Sequence, residues 1–287
     1  MKHLFTRLSA WALLGLLATA CTKTDEVAPT SPATATRDNN LALGNPSGAT
    51  TSPSSPTNYL LVKDQYTLSY NRDQGKPNWV SWHLSTAWEG SAPRKDDFAA
   101  DASLPSGWYQ VKASDYSGSG FDRGHNCPSA DRTGSAADNT ATFLMSNMMP
   151  QAPNNNQQTW AGLENYARAL ADAGNELYVV CGSYGRGGTG SNGYATTVAG
   201  GRVTVPARCW KVLVVLPVGT NDVARISATT RVIAIDAPND NSLSSSWGTY
   251  RTSVDAIEAA TGLDLLSALS TGLQSTLEAR PDAGPTN

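Results

Sequence analysis

Histidine is the scarcest reactive side chain here, with three copies in 287 residues. His3 falls in a leader-like segment, so His83 and His125 are the whole imidazole supply of the body of the chain. Zinc sites of the HExxH or HxH type are therefore excluded. Cysteine is almost as rare. Cys127, Cys181 and Cys209 are too dispersed for a CxxC pair, which removes the sulfur route to zinc as well. No GxSxG elbow is present, so a serine of the α/β-hydrolase kind has no support. Charge is sparse, at 16% of residues, and 21 Lys+Arg against 24 Asp+Glu leave a formal net charge of -3. Bulk positive charge therefore cannot drive binding to a polyanion, and any such contact must use a local basic patch. Neither a Gly-X-Y period nor a heptad repeat occurs, which excludes a fibre.

One glycine-rich motif is a decoy. Gly185-Arg186-Gly187-Gly188-Thr189-Gly190 matches GxGxxG after a predicted strand. The chain beyond it, through Val203-Thr204-Val205-Pro206, reads as loop and strand. A dinucleotide site needs a helix N-terminus there to hold the pyrophosphate.

The N-terminus reads as a targeting segment over residues 1–20. Lys2, His3 and Arg7 form a basic stretch, Leu8 to Ala20 is apolar, and Ala18-Thr19-Ala20 places small residues directly before Cys21. The apolar run is shorter than the ~20 residues a membrane-spanning helix needs. The stretch resembles a bacterial lipoprotein signal, which implies Cys21 as the lipidated mature N-terminus, an exported chain, and localisation in the cell envelope on a lipid anchor or outside the cell. Ordinary signal cleavage nearby is the alternative. Residues 22–58 then hold five Ser, eight Thr and five Pro with almost no large apolar side chain, the composition of a disordered tether.

From Tyr59 the pattern becomes that of a folded domain, expected over 59–280. Tyr59–Val62, Tyr66–Tyr70 and Trp79–Leu84 read as strands with a turn at Asp73–Pro77, an antiparallel start. Glu176–Cys181, Cys209–Pro217 and Arg231–Asp236 are further apolar, β-branched strands. Trp160–Ala173 carries apolar or small residues at helical spacing before Gly174, and Tyr250–Ala260 reads as a second helix before Gly262. The strands do not alternate regularly with helices, so the expected class is α+β. With Cys21 consumed by lipid, three thiols allow one internal disulfide. Cys181 and Cys209 end and begin strands on either side of one glycine-rich connection, so the expected bridge joins them.

Chemistry concentrates in Phe121-Asp122-Arg123-Gly124-His125-Asn126-Cys127-Pro128, followed by Ser146-Asn147-Met148-Met149-Pro150-Gln151 and the polar start of the Trp160 helix. Asn156, Trp160, Glu164 and Arg168 recur every fourth residue and form a slowly drifting stripe on one helix face. Asn156, Glu164 and Arg168 can therefore converge on one ligand. For the helix taken alone, a solvated Glu164–Arg168 ion pair explains the spacing equally. His83 sits in a strand that already reads as core and is expected to have a packing or surface role, and the eight Trp read as core.

Asp122-Arg123-Gly124-His125, with Asn156, Trp160, Leu163-Glu164 and Arg168 downstream, resembles the DNA/RNA non-specific endonucleases of the ββα-metal (His-Me finger) fold. Asn78-Trp79-Val80, Arg94, Ser146-Asn147, Pro150-Gln151, Val205-Pro206 and Trp210-Lys211-Val212 extend the resemblance over roughly residues 59–270. It implies a ββα-metal core on an antiparallel central sheet flanked by helices, and Mg²⁺-dependent hydrolysis of DNA and RNA to 5′-phosphate fragments, with Mn²⁺ able to substitute. His125 would be the general base, Asn156 the direct metal ligand, and Glu164 the holder of a metal-bound water. Arg94 and Arg168 would contact phosphate and Arg123 would add positive potential. Asp122 would orient the loop or a metal water, and Asn147 would brace the site. The Asn156-Gln157-Gln158 stretch departs from the family, which often has glycine there. Two other readings stand beside this one: an inactive nucleic-acid-binding lipoprotein, and a secreted phosphodiesterase for small nucleotides. The sequence leaves a homodimer open.

Overall fold

The computed structural model describes Met1 and residues 33–286. The rest of the expected signal segment, with Cys21, lies outside the described residues. In chain order the sheet begins with β1 (Tyr59–Val62), β2 (Thr67–Asn71) and β3 (Lys76–Leu84), an antiparallel meander with a register shift at Ser69/Tyr70. The chain then leaves the sheet. β4 (Asp122–His125), the short helix α1 (Ala136–Ala141) and β5 (Met148–Gln151) come next, and β5 returns antiparallel to β4. A π-helical segment, Asn155–Trp160, leads directly into α2 (Ala161–Asp172). β6 (Asn175–Tyr184) re-enters the sheet against β3. Two small hairpins succeed it, β7 (Gly188–Gly190) with β8 (Gly193–Ala195) and β9 (Thr197–Val198) with β10 (Val203–Thr204). β11 (Arg208–Pro217), the one-turn α3 (Asp222–Arg225) and β12 (Arg231–Pro238) complete the sheet in the order β1-β2-β3-β6-β11-β12, and α4 (Val254–Thr261) and α5 (Thr271–Glu278) close the chain.

Both faces of the central strands are covered, which is why they read as continuous apolar runs. Side chains alternate between two cores. Leu177, Val179, Cys181, Leu213, Ile233 and Ile235 face one side with Trp82, Trp160 and the α2 residues Leu163, Ala167 and Ala171. Tyr178, Val180, Val212, Val214, Val232 and Ala234 face the other with Val254 and Ile257 of α4 and Leu277 of α5. Each fully buried aliphatic side chain contributes ~1.5–3 kcal/mol. The glycine-rich stretch Gly185–Gly190 runs into the β7–β8 hairpin rather than into an α-helix, as expected.

Three expectations need correction. The second expected helix does not start at Tyr250. Trp247–Tyr250 is a 3₁₀ turn, and α4 begins at Val254 because the Ser253 hydroxyl accepts the Ala256 N–H at 3.1 Å. The expected tether is folded in its described part. The Asn40 side chain accepts the His83 N–H at 3.0 Å, the Asn40 carbonyl accepts Ser81 Oγ–H at 2.6 Å, and Trp79 Nε1–H donates to Ser47 Oγ at 2.8 Å. Leu43 and Ala49 are buried in the second core. Polar side chains tie this segment down, so its poverty in apolar residues is misleading. Finally, Cys181 and Cys209 are free thiols. Their strands do pair, but Cys181 lies opposite Lys211 and Cys209 opposite Ser183. The two cysteines are diagonal neighbours, typically ~7–8 Å apart, beyond ordinary disulfide reach.

Candidate active site

The site is built on β4, β5 and the helix after them. Gly124 is required where the two strands meet: a Cβ there would stand 2.6 Å from Cβ of Gln151 and closer still to the Gln151 amide. Asn147, fully buried, locks the chain leaving β4. Its amide donates to the Cys127 and Thr142 carbonyls at 2.9 Å each and accepts the Cys127 N–H at 3.0 Å, while its own carbonyl accepts the Asn126 N–H. Trp160 Nε1–H reaches the His125 carbonyl at 3.3 Å and so fastens the helix to the same strand.

Asp122 joins strand to helix. Its Oδ2 accepts from Asn156 Nδ2 and from Gln157 Nε2, both at 2.8 Å. Gln157, in the stretch expected to depart from the family, thus helps hold Asp122. Because the Asn156 amine is committed to Asp122, its carbonyl Oδ1 is left to meet a ligand. Asn156 lies in the π-helical segment, whose wider turn is closed by the Ala161 N–H on the Asn156 carbonyl. Such turns are frequent at functional sites, and they rotate less per residue than an α-helix, which takes back part of the stripe's drift.

Asn156, Asp122, Arg123 and Arg94 line one cavity of about 340 Å³, with Phe98 and Tyr116 in its wall. Arg123 stacks 4.2 Å over Phe98, and Arg94 lies 4.9 Å over Phe143 while bonding Ser129 Oγ at 2.9 Å and Asp96 at 2.7 Å. His125 adjoins the cavity, its ring 5.5 Å from Phe98 and 4.9 Å from Phe143. Its Nε2 is buried without a hydrogen-bond partner, which leaves Nδ1 to accept a proton. Burial, then the Arg94 and Arg123 charges, lower the imidazole from 6.5 to about 3, so the ring is neutral at neutral pH.

Glu164 and Arg168 part company. Glu164 bonds Lys211 Nζ at 3.0 Å, and burial raises its carboxyl above the ordinary range against the pull of that lysine. Lys211, buried on β11, also lies 4.1 Å over the Trp160 ring. Arg168 is turned away from the cavity of Asn156. Its guanidinium bonds Asp131 at 2.7 Å and Asn165 at 2.6 Å, and it lines a separate cavity with Glu89 and Asp172. The phosphate contact expected of Arg168 is therefore not set up. Both its terminal nitrogens are held within the chain, and the partner, Asp131, in turn accepts Trp82 Nε1–H at 2.9 Å.

The sequence alone assigns no role to Lys211, Asp131 or Gln157. For Lys211 a signal exists, a single charge inside an apolar strand. Asp131 and Gln157 carry none, because their partners come from elsewhere in the fold. His83, on the opposite face of the sheet, contacts Glu176 through Nε2 at 3.3 Å and accepts the Asp38 N–H at Nδ1. It belongs to a group with Asp38, Glu176 and Asp222 that has ion-binding spacing, but Arg225 already sits there, 2.6 Å from both Glu176 and Asp222. Cys127 is buried, with its thiol pushed up to about 12 by burial, which removes it as a nucleophile.

The model of the DNA/RNA non-specific endonuclease family matches residues 43–272. The chain belongs to that family. The match starts inside the segment expected as tether, in keeping with the packing of Leu43 and Ala49. A nuclease of Nostoc sp. is 46% identical over 276 residues, covering 96% of this chain and 98% of that protein. Human mitochondrial endonuclease G is 30% identical over 210 residues, covering 71% of this chain and 68% of that protein. A chain in the crystal structure of an EndoG/EndoGI complex shares the fold, with a TM-score of 0.64 at 23% identity over 80% of this chain and 91% of the other. This endonuclease is thus an enzyme, and its β4–β5 pair with the succeeding helix is the ββα element of that fold.

Proposed function

We propose that this endonuclease is an exported, Mg²⁺-dependent enzyme that hydrolyses DNA and RNA to fragments with 5′-phosphate and 3′-hydroxyl ends. The observation that carries the reading is the pairing of Asn156 with Asp122, which commits the amine of Asn156 and presents its oxygen beside two arginines and a neutral histidine. An oxygen donor with a carboxylate behind it suits a hard cation that keeps most of its waters. Asn156 would hold the ion directly, and Asp122 and Glu164 would meet its waters. When bound, Mg²⁺ supplies positive charge against the non-bridging phosphate oxygens and the departing 3′-oxygen.

The chain's own residues do the rest. Arg94 and Arg123 grip the phosphate, for which a guanidinium fork is suited. His125, neutral before the reaction, takes a proton at Nδ1 from the attacking water; the new P–O bond forms as the bond to the 3′-oxygen breaks, and that oxygen is protonated from solvent. The 2′-hydroxyl plays no part, so both nucleic acids are substrates. Arg168 acts by holding Asp131, which braces α2 against Trp82. Export, with lipid attachment at Cys21, rests on the residues around that cysteine. A plasmid-nicking assay tests the reading: cleavage should stop in excess chelator and return with Mg²⁺ or Mn²⁺. Cleavage undiminished by chelator would refute it.

A further inference from the structure

The last two helices bring acidic side chains together with no opposing charge. On α4, Val254 and Ile257 enter the core, so Asp255 and Glu258, three residues apart, share the outward side. Glu278 is the last residue of α5, where the helix dipole already disfavours a negative group. It is nonetheless only 5% exposed, and its Oε1 is buried with no hydrogen-bond partner. One oxygen from each of Asp255, Glu258 and Glu278 lies within 4.8 Å of the others. None of the three has an ion-pair partner among the described residues. Burial, and then the negative charges of Glu258, Asp255 and Asp264, raise its carboxyl to about 7, against a backbone hydrogen bond from Leu266 that favours the charged form. The acidic group around His83 makes the contrast: there the fold supplies Arg225, and here it supplies no positive charge, only backbone N–H donors such as that of Leu265, which Glu258 Oε1 accepts at 2.7 Å.

We propose that Asp255, Glu258 and Glu278 form a Ca²⁺ site, separate from the catalytic one, that clamps α5 to α4. A carboxylate oxygen with no partner in a buried position is costly, and a cation removes that cost. The donors are all oxygen, which excludes the nitrogen and sulfur preference of zinc. Calcium takes six to eight oxygens at about 2.3–2.6 Å in flexible geometry, which suits carboxylates brought together from two separate helices. Magnesium demands near-ideal octahedral geometry and gives up its waters reluctantly, so it suits a site of three protein carboxylates less well. Exposed Asp255 gives the ion its way in, and water completes the coordination.

The test is thermal unfolding of the chelator-stripped full chain, with and without about 5 mM CaCl₂ at pH 8. Calcium should raise the Tm by about 3–6 °C. The rise should vanish in Asp255→Asn, an exposed position where the change leaves the core intact, and in Glu278→Gln, with Ca²⁺ affinity by calorimetry down at least about tenfold in each. Asn156→Ala, which removes the proposed catalytic ligand, should keep the rise in full. That variant separates this site from the catalytic one, so either can fail alone. No rise in the unmutated chain, or an equal rise in Asp255→Asn, would overturn the assignment.

Discussion

His125 is a base kept neutral by its surroundings: two phenylalanine rings enclose it and two arginines repel a proton. His125→Ala should lower turnover by at least ~10²-fold in nicking kinetics, with DNA affinity nearly intact because phosphate contacts lie on Arg94 and Arg123. The same shift has a sign in stability. An imidazole at about 3 in the fold and about 6.5 in the unfolded chain means that the unfolded state binds more protons between those values. The stability it contributes is complete above pH 6.5 and drains away as pH falls toward 3, which urea titrations of the parent against His125→Phe should resolve as a shallower acid slope in the variant. Lys211 makes a second case. Lys211→Met strands a buried Glu164 carboxylate and should cost ~3–5 kcal/mol in denaturant unfolding, most of it regained in Lys211→Met/Glu164→Gln. The DRGH run and Asn156 are legible in the sequence because each is local and chemically unusual. The double acceptance at Asp122 is not, since it exists only once β4 and the helix meet.

Among the elements, the central strands are readable from apolar content, and α2 from its spacing. Their exact pairing is not: the register that sets Cys181 against Lys211 depends on both strands together, and it decides that the two thiols stay apart. The π-helical turn at Asn155–Trp160 is equally hidden, because nothing in Asn-Asn-Gln-Gln-Thr-Trp distinguishes i→i+5 from i→i+4 bonding. Arg168 shows the cost. It shares a helical stripe with Asn156 on paper, yet Asp131 draws it to another cavity. The brace on the loop after β4 can be tested through Asn147. Asn147→Ala leaves the Cys127 and Thr142 carbonyls and the Cys127 N–H buried without this partner, at ~1–3 kcal/mol for each group so stranded. Its Tm should fall, and kcat should fall more than KM rises.

At the scale of the molecule, a six-stranded sheet separates the catalytic face from the face covered by α4, α5 and the segment beyond Pro32. That segment is misleading in sequence because its anchors are Asn40 and Ser47, polar residues whose partners are strand backbone and a tryptophan N–H. Asn40→Ala should therefore destabilise the whole domain, by ~1–3 kcal/mol for the His83 N–H it leaves buried. A chain of net charge -3 that grips phosphate through two local arginines must lose activity as salt rises, since counterions compete for those contacts. The central claim is metal-assisted hydrolysis by water with His125 as base and Asn156 as ligand. Mass spectrometry of a short DNA duplex digested with Mg²⁺ reads it most directly: fragments should carry 5′-phosphate and 3′-hydroxyl, and Asn156→Ala should yield almost none. Fragments ending in 3′-phosphate, or an undiminished digest from Asn156→Ala, would contradict it.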